Sequence, residues 1–395
     1  MSGLRVLMMA PGDSIHSKRI LQWVLADGCE VVFVDRTDPL PEGHERYRFV
    51  PYPQLRGRRH LRRLVGAAAE RRLADLAIAA QLRRLSRVVR PDVVHVQPVG
   101  RAAYHCALAG IRPLVLTVWG SEVNEHFAGE SDAWHRRMVS QALANADLVT
   151  VDSPDMPGKC AELAGCRLRV RSLVIGIDTS LFRPGYDEEA QAWRRRLDIP
   201  GSTKVFLSPR AFAPKYNQHV ILQAFAQALP RFPAQAVLVF KTYGRHSYPE
   251  SVPYEHDVRR LATELGVSQS LRWMTEVAYA ELPALYALAD VVINYPTMDA
   301  FPVTFLEAAA CERPVITVRL PAYVGTFAEH YFHLVDPGDL AALSGAMVEV
   351  ANAYPARAAD GLAEARLLVE REYDQSVSRA RLRGIYGEAA ALCSR

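Results

Sequence analysis

Val205-Phe206-Leu207-Ser208-Pro209-Arg210-Ala211-Phe212-Ala213-Pro214-Lys215-Tyr216-Asn217 runs from a short apolar segment through a proline-bounded loop into a helix beginning near His219. The same step, from a short β-rich run to a long helical stretch, recurs on both sides of it. Upstream the predicted strands are Val6–Met9, Val31–Val34, Val93–Val96, Leu114–Val118, Leu148–Val151 and Val170–Ile175. Downstream they are Ala236–Phe240, Leu271–Met274, Val291–Asn294 and Pro314–Val318. Strands that alternate with helices predict parallel, doubly wound sheets. The alternation breaks at Phe182-Arg183-Pro184-Gly185, which reads as a linker. The expected architecture is α/β, with one Rossmann-like domain over residues 1–184 and a second over 185–375. Residues 376–395 form an amphipathic helix with Val377, Ala380, Leu382, Ile385, Tyr386 and Ala389 as its apolar set.

Bulk composition narrows the class. Of 395 residues, half are hydrophobic and 23% are charged, the balance of a soluble globular chain with room for two cores. No apolar run is long enough to span a bilayer, and the start, Met1 to Met9, reads as a first strand rather than a leader, so the expected location is the cytoplasm. Six cysteines, at 29, 106, 160, 166, 311 and 393, make no C-x-x-C pair and read as small buried thiols. There is no D-x-D pair and no His/Cys cluster at ligand spacing, so no metal and no tightly held cofactor are expected.

Charge is spread unevenly. Between Arg46 and Arg90 thirteen arginines face only Glu70 and Asp75, in a chain whose net charge is +4. Such a block either is a solvated helix face or meets phosphates, acidic acceptors or the anionic surface of a membrane, at its inner face for a cytoplasmic protein. From Arg56 to Arg90 it holds no Phe, Tyr or Trp among its arginines, which argues against nucleic acid.

In doubly wound sheets, ligands bind beyond the carboxyl ends of the strands, so the residues just after each strand carry the chemistry. Arg210 and Lys215 share one such loop; they are either two surface cations or a pair able to hold a diphosphate. Asp299 and Glu307 stand eight positions apart, Glu307 in an otherwise apolar helical stretch. A buried carboxylate needs a partner; a ribose diol would serve, as would a neighbour in the fold. The segment Ala300 to Thr304 opens that helix, whose free N–H groups and dipole favour an anion.

These landmarks, in this order, resemble the family 4 retaining glycosyltransferases of the GT-B fold, two facing Rossmann-like domains with a cleft between them. Asp13 to Arg19 with Gly28-Cys29-Glu30-Val31 is similar to the family's opening. Pro91 to His95 and Thr117-Val118-Trp119-Gly120-Ser121-Glu122 are similar to its acceptor-domain motifs. Gly176-Ile177-Asp178 through Pro184, the Asp299/Glu307 pair and Val335-Asp336-Pro337-Gly338-Asp339 complete the set. The resemblance implies a hexosyltransferase (EC 2.4) that moves a sugar from a nucleotide-diphosphate donor, UDP being the commonest base, to a hydroxyl of a small-molecule, glycan or lipid-linked acceptor. It implies that Arg210 and Lys215 hold the diphosphate, Glu307 the ribose and Asp299 the sugar. Phe301, Pro302, Val303 and Thr304 would meet sugar and phosphate through their backbone, Glu276 and Val277 the base, and Lys241 would face the donor. Asp13, His16, Trp119, Gly120, Glu122 and His126 would line the acceptor side, and the last helix would return to the first domain.

The pattern has departures: Asp299 for glutamate, Ala300 and Glu312 for glycine, Ile175 for asparagine and Trp119 for histidine. The changes at Asp299, Ala300 and Glu312 motivate one rival, a catalytically dead sugar-nucleotide-binding protein; an epimerase or phosphorylase of the same fold is another. His95, closing a strand, reads as a core histidine, and His105, His135 and His330 as structural.

Overall fold

The computed structural model describes residues 3–35, 46–55, 57–242, 250–275, 277–354 and 359–393. Arg56, Arg245 and Glu276 lie outside them. The chain divides into two compact units, residues 1–175 with 378–395, and residues 176–377.

The first unit holds seven strands: β1 (Arg5–Met9), β2 (Glu30–Asp35), β3 (Arg48–Pro51), β4 (Val93–Val96), β5 (Leu114–Thr117), β6 (Leu148–Val151) and β7 (Val170–Ser172). They form one sheet in the order β3-β2-β1-β4-β5-β6-β7, with every pair parallel. Both faces are covered, which is why β4, β5 and β6 are buried throughout. Alternate side chains serve opposite layers. Leu7, Met9, Val94 and Val96 pack with Ile78, Leu82 and Met138 on one face. Val6, Met8, Phe33 and Val93 pack with Ile20, Trp23 and Val24 on the other.

The helix Gln375–Cys393 completes that second layer through Leu382, Ile385, Tyr386 and Ala389. Two polar clasps fix it. Arg379 and Arg383 both bond the Asp27 carboxylate, which their charge holds below the usual carboxylate range against the opposing effect of burial. Inside, the fully buried His95 ring meets the Tyr386 hydroxyl through Nδ1 at 2.7 Å and Thr117 Oγ1 through Nε2 at 2.6 Å. Burial lowers the His95 pKa to about 3. The reading of His95 as a core residue therefore holds, and it gains a purpose: it joins the sheet to the last helix. His105 is likewise structural, set between Tyr52 and Asp75.

The second unit holds β8 (Lys204–Ser208), β9 (Ala236–Lys241), β10 (Leu271–Met274), β11 (Val291–Asn294), β12 (Val315–Val318) and β13 (His333–Val335). Its sheet runs β10-β9-β8-β11-β12-β13, again all parallel. Each sheet reverses its winding once, between β1 and β4 in the first and between β8 and β11 in the second. The loops that follow those strands flank the switch points where such sheets bind ligands.

Two sequence expectations shift. The break falls at residue 175 rather than at 184, and Phe182-Arg183-Pro184-Gly185 is not a free linker. Phe182 is fully buried in the second unit, with its ring 5.4 Å from that of Tyr279 and 6.2 Å from that of Tyr286. The Ile177 backbone also pairs with the segment at Tyr373–Gln375. The short strands β3 and β13 were not anticipated; both are edge strands.

Candidate functional site

Beyond the second sheet's switch point, four chain segments bring charged and hydroxyl groups together. Arg210, two residues past β8, places Nη2 3.1 Å from Asp299 Oδ1. The other Asp299 oxygen accepts from the Tyr323 hydroxyl at 2.9 Å, and the Ala300 N–H donates back to Oδ1 at 3.1 Å. Asn294, the last residue of β11, donates through Nδ2 to the Tyr323 hydroxyl at 3.4 Å. Tyr323 is fully buried, and burial followed by the nearby Asp299 charge pushes its hydroxyl well above the ordinary tyrosine range. It therefore stays a neutral donor, and Asp299 sits between one cation, Arg210, and two donors, the Tyr323 hydroxyl and the Ala300 N–H.

Lys215 comes back to the same place. Its ammonium lies 5.3 Å from the Tyr216 ring centroid, and the Arg210 guanidinium lies 4.3 Å from it. Two cations five positions apart thus gather on one aromatic ring. The loop is tied to the strand-β11 side by the Thr297 N–H, which donates to the Lys215 carbonyl at 2.8 Å.

Glu307 sits on the helix Val303–Ala310, is 6% exposed, and accepts from the Tyr286 hydroxyl at 2.7 Å. The fold thus supplies one partner for a carboxylate that would be costly to bury alone. Pro302 is the N-cap residue of this helix, so the first-turn N–H groups have no capping side chain of their own. Thr304 Oγ1 is buried without a hydrogen-bond partner in that turn. The Phe301 ring is turned inward, 5.8 Å from Tyr373 and stacked on it, and 5.7 Å from Phe327, which leaves only its backbone for a ligand. Lys241 ends β9 and is 8% exposed; Val277 follows β10 and is half-buried.

Beyond the first sheet's switch point the groups are mostly neutral. The His16 and Trp119 rings meet edge-on at 5.7 Å, bringing the loops after β1 and β5 together. Trp119 Nε1 donates to Gln97 Oε1 at 3.3 Å, and the Gln97 Nε2 is buried with no partner among the described residues. Gly120, with φ of +105°, makes the turn from Trp119 into the helix Ser121–Phe127, a backbone position that disfavours a side chain. Asp13 is exposed in the loop after β1.

Glu122 has a structural engagement that its sequence position did not show. Its Oε1 accepts from the Trp119 N–H at 2.8 Å and from the Val99 N–H at 3.1 Å, and the residue is buried. That oxygen ties the loops after β4 and β5 to each other, while Oε2 is buried with no hydrogen-bond partner among the described residues. Burial raises its pKa despite those two donors. His126 is stacked on His135 at 5.3 Å, and its pKa is lowered by burial and then by the neighbouring His135 and Arg136. Lys159 holds Asn124 and Asp155 at 2.7 and 2.6 Å.

Sequence reasoning missed Tyr323, Tyr286, Asn294 and Gln97. Asn294 closes β11 and Gln97 follows β4, so the strand-end rule was enough to find them. Tyr286 and Tyr323 lie on a helix and a turn, and only folding brings them to the carboxylates. A cavity of about 640 Å³ lies elsewhere, against Arg5, Glu30, Arg46, Tyr47, Arg48 and Val89 at the amino ends of β1 to β3. Its Arg5 is already bonded to Glu30 and to the Val89 carbonyl.

The fold is shared with solved glycosyltransferase structures. Anabaena HepE in complex with UDP and glucose superposes with a TM-score of 0.74 at 16% identity, covering 98% of this chain and 100% of that one. Both sheets, their order and this likeness make the fold GT-B. Residues 5–153 match the family described as Glycosyl transferase 4-like, and residues 189–359 match Glycosyl transferases group 1. The chain belongs to the family 4 type of GT-B glycosyltransferases. A D-inositol 3-phosphate glycosyltransferase of Corynebacterium glutamicum is 31% identical over 193 residues, 48% of this chain and 45% of the relative. A GDP-mannose-dependent phosphatidylinositol monomannoside mannosyltransferase of Mycolicibacterium smegmatis is 27% identical over 219 residues, 53% of each chain. The chain spans about half the length of the curated relatives it matches first.

Proposed function

We propose that the protein transfers a hexose from a nucleoside diphosphate sugar to an acceptor hydroxyl, with retention at the anomeric carbon. The observation that carries this is the convergence of Arg210 and Lys215 on Tyr216 beside Asp299. Two fixed cations at a strand end suit a diphosphate, and they oppose the negative charge that grows on it as it leaves. The uncapped first turn of the helix Val303–Ala310 adds N–H donors to the same anion. In this reading the chain's own cations neutralise the diphosphate in place of a divalent metal, and Glu307 takes the ribose while Asp299 takes the sugar.

The bond from the anomeric carbon to the phosphate oxygen breaks, the acceptor oxygen bonds that carbon from the same face, and the acceptor proton passes to the departing phosphate oxygen. No protein nucleophile is needed. That suits carboxylates already engaged, Asp299 with Arg210 and Tyr323, Glu307 with Tyr286. The acceptor is assigned to the first sheet's strand ends, around His16, Gln97, Trp119 and Gly120. UDP is retained as the base to try first, with GDP beside it because a relative is named for GDP-mannose.

The test is transfer from UDP-glucose, UDP-N-acetylglucosamine and GDP-mannose to D-inositol 3-phosphate and to a lipid extract, read by mass spectrometry with and without EDTA. A glycosylated product formed in EDTA supports metal-free transfer. Donor binding with no product from any acceptor would favour the catalytically dead alternative. Product only with added metal would remove the metal-free part.

A further inference from the structure

The helix Arg58–Val89 has no part in the chemistry above, yet it carries the densest charge in the chain. Nine arginines stand on it, at 58, 59, 62, 63, 71, 72, 83, 84 and 87, and all nine are exposed. Its two acids are turned inward and occupied. Glu70 is bonded to Arg58, and Asp75 to His105, both carboxylates being buried. Apart from Arg58, which pairs with Glu70, the outward arginines have no acid of the same helix bonded to them among the described residues.

Exposed aliphatic side chains share that surface. Leu64 is 83% exposed, Leu76 57% and Leu73 45%, with Val65 and Val88 also exposed. Residues 73, 76, 80, 84 and 87 fall on one helical stripe, so Leu73 and Leu76 lie in line with Arg84 and Arg87. The opposite face, through Ala74, Ile78, Ala79 and Leu82, is the one packed on the sheet. At Gly66 the backbone leaves helical geometry with φ of +81°, and every described side chain from Arg58 to Ala68 is exposed. The kink frees this first run from the line of the packed part.

We infer that this helix is a docking surface for an anionic lipid bilayer, lying on it through the arginines while Leu64, Leu73 and Leu76 enter the headgroup boundary. Charge complementarity selects an anionic partner. The aliphatic residues along the same stripe select a bilayer over a nucleic acid, for which stacking Phe, Tyr or Trp would be expected and none of these is present on the helix. No helix among the described residues is long and apolar enough to cross a membrane, so the contact is peripheral. The inference does not depend on the transferase reading.

The full chain would be sedimented with vesicles of phosphatidylcholine alone and of phosphatidylcholine mixed equally with phosphatidylglycerol. Binding is expected to the mixed vesicles only, and to fall steeply as salt rises. The variant R59Q/R62Q/R63Q should bind the mixed vesicles at least about tenfold more weakly. L73S/L76S should keep salt-sensitive binding but lose several-fold in affinity. These side chains are exposed, so melting temperature and nucleotide affinity should stay at wild-type values in both variants. Equal binding to neutral and mixed vesicles, no binding to either, or full binding by the arginine variant would overturn the inference. So would tighter binding to heparin or single-stranded DNA than to mixed vesicles, unchanged in L73S/L76S, which would assign the block to a soluble polyanion.

Discussion

The carboxyl ends of the two sheets carry different chemistry on the same frame. Past β8 and β11 stand a guanidinium, an ammonium and two carboxylates, three of them aimed by a neighbour: Arg210 by Asp299, Asp299 by Tyr323, Glu307 by Tyr286. Past β1, β4 and β5 stand an imidazole, an indole and an amide, while the one buried carboxylate there, Glu122, is turned onto backbone N–H groups. Sheet order and winding do not decide what a strand end binds. The few residues after each strand do, and the direction in which a carboxylate is spent separates a charged mouth from a neutral one. The charged end suits a diphosphate and the neutral end a hydroxyl compound.

The sharpest way to break this contrast is acid. His95, buried and neutral, belongs to the first unit. Its folded pKa of about 3 lies below the ordinary 6.5, so its contribution to stability is complete above pH 6.5 and drains away as pH falls toward 3. By pH 4 the loss is on the order of 3 kcal/mol. Hydrogen exchange should then show β4 and the helix Gln375–Cys393 losing protection before β8 and β11. Earlier loss in the second sheet would deny that His95 holds the first. The next largest effect is at the charged end: Arg210→Ala should lower the transfer rate by about a hundredfold while the melting temperature stays near wild type. A fall in stability with the rate per folded molecule unchanged would make Arg210 a structural partner of Asp299 only.

Glu122 sharpens the contrast from the other side. Glu122→Ala should cost about 2 kcal/mol in denaturant unfolding, because two buried N–H groups lose their acceptor. Glu122→Gln keeps an oxygen there and should be milder, with transfer almost intact. Loss of transfer in a well-folded Gln variant would return Glu122 to the acceptor role expected from sequence. The smallest effect is Tyr323→Phe. It removes one donor from Asp299, worth about 1 kcal/mol, and should appear as a several-fold rise in KM for the sugar nucleotide, with affinity for the bare nucleoside diphosphate unchanged. An equal loss for both ligands would mean that Tyr323 supports the loop rather than aims Asp299.

Much of this was legible in the chain. The central strands are buried apolar runs, and β4, β6, β10 and β11 lie where the alternation placed them. The edges were not: β3 is four residues ending in Pro51 and β13 is three residues, too short to show a period. The break between units was misplaced because Pro184-Gly185 looks like a linker, whereas Phe182 decides the matter by burying itself between Tyr279 and Tyr286. At the site, the spacing of Arg210 with Lys215 and of Asp299 with Glu307 marked the charged groups. Spacing cannot tell which way a side chain turns. Glu307 reads as a buried acid and Glu122 as an acid just after a strand, and only the fold shows one oxygen of Glu122 meeting backbone N–H groups and Glu307 meeting a tyrosine hydroxyl.

The central claim is that the second sheet's strand ends hold a nucleoside diphosphate. Calorimetric titration of the purified protein with UDP, GDP, ADP and dTDP, beside Glu307→Ala, tests it most directly. The account predicts tight binding of one of the four, weakened at least about tenfold in the variant as a charge-assisted hydrogen bond to the ribose is lost. No binding of any of them, or equal binding by Glu307→Ala, would contradict it.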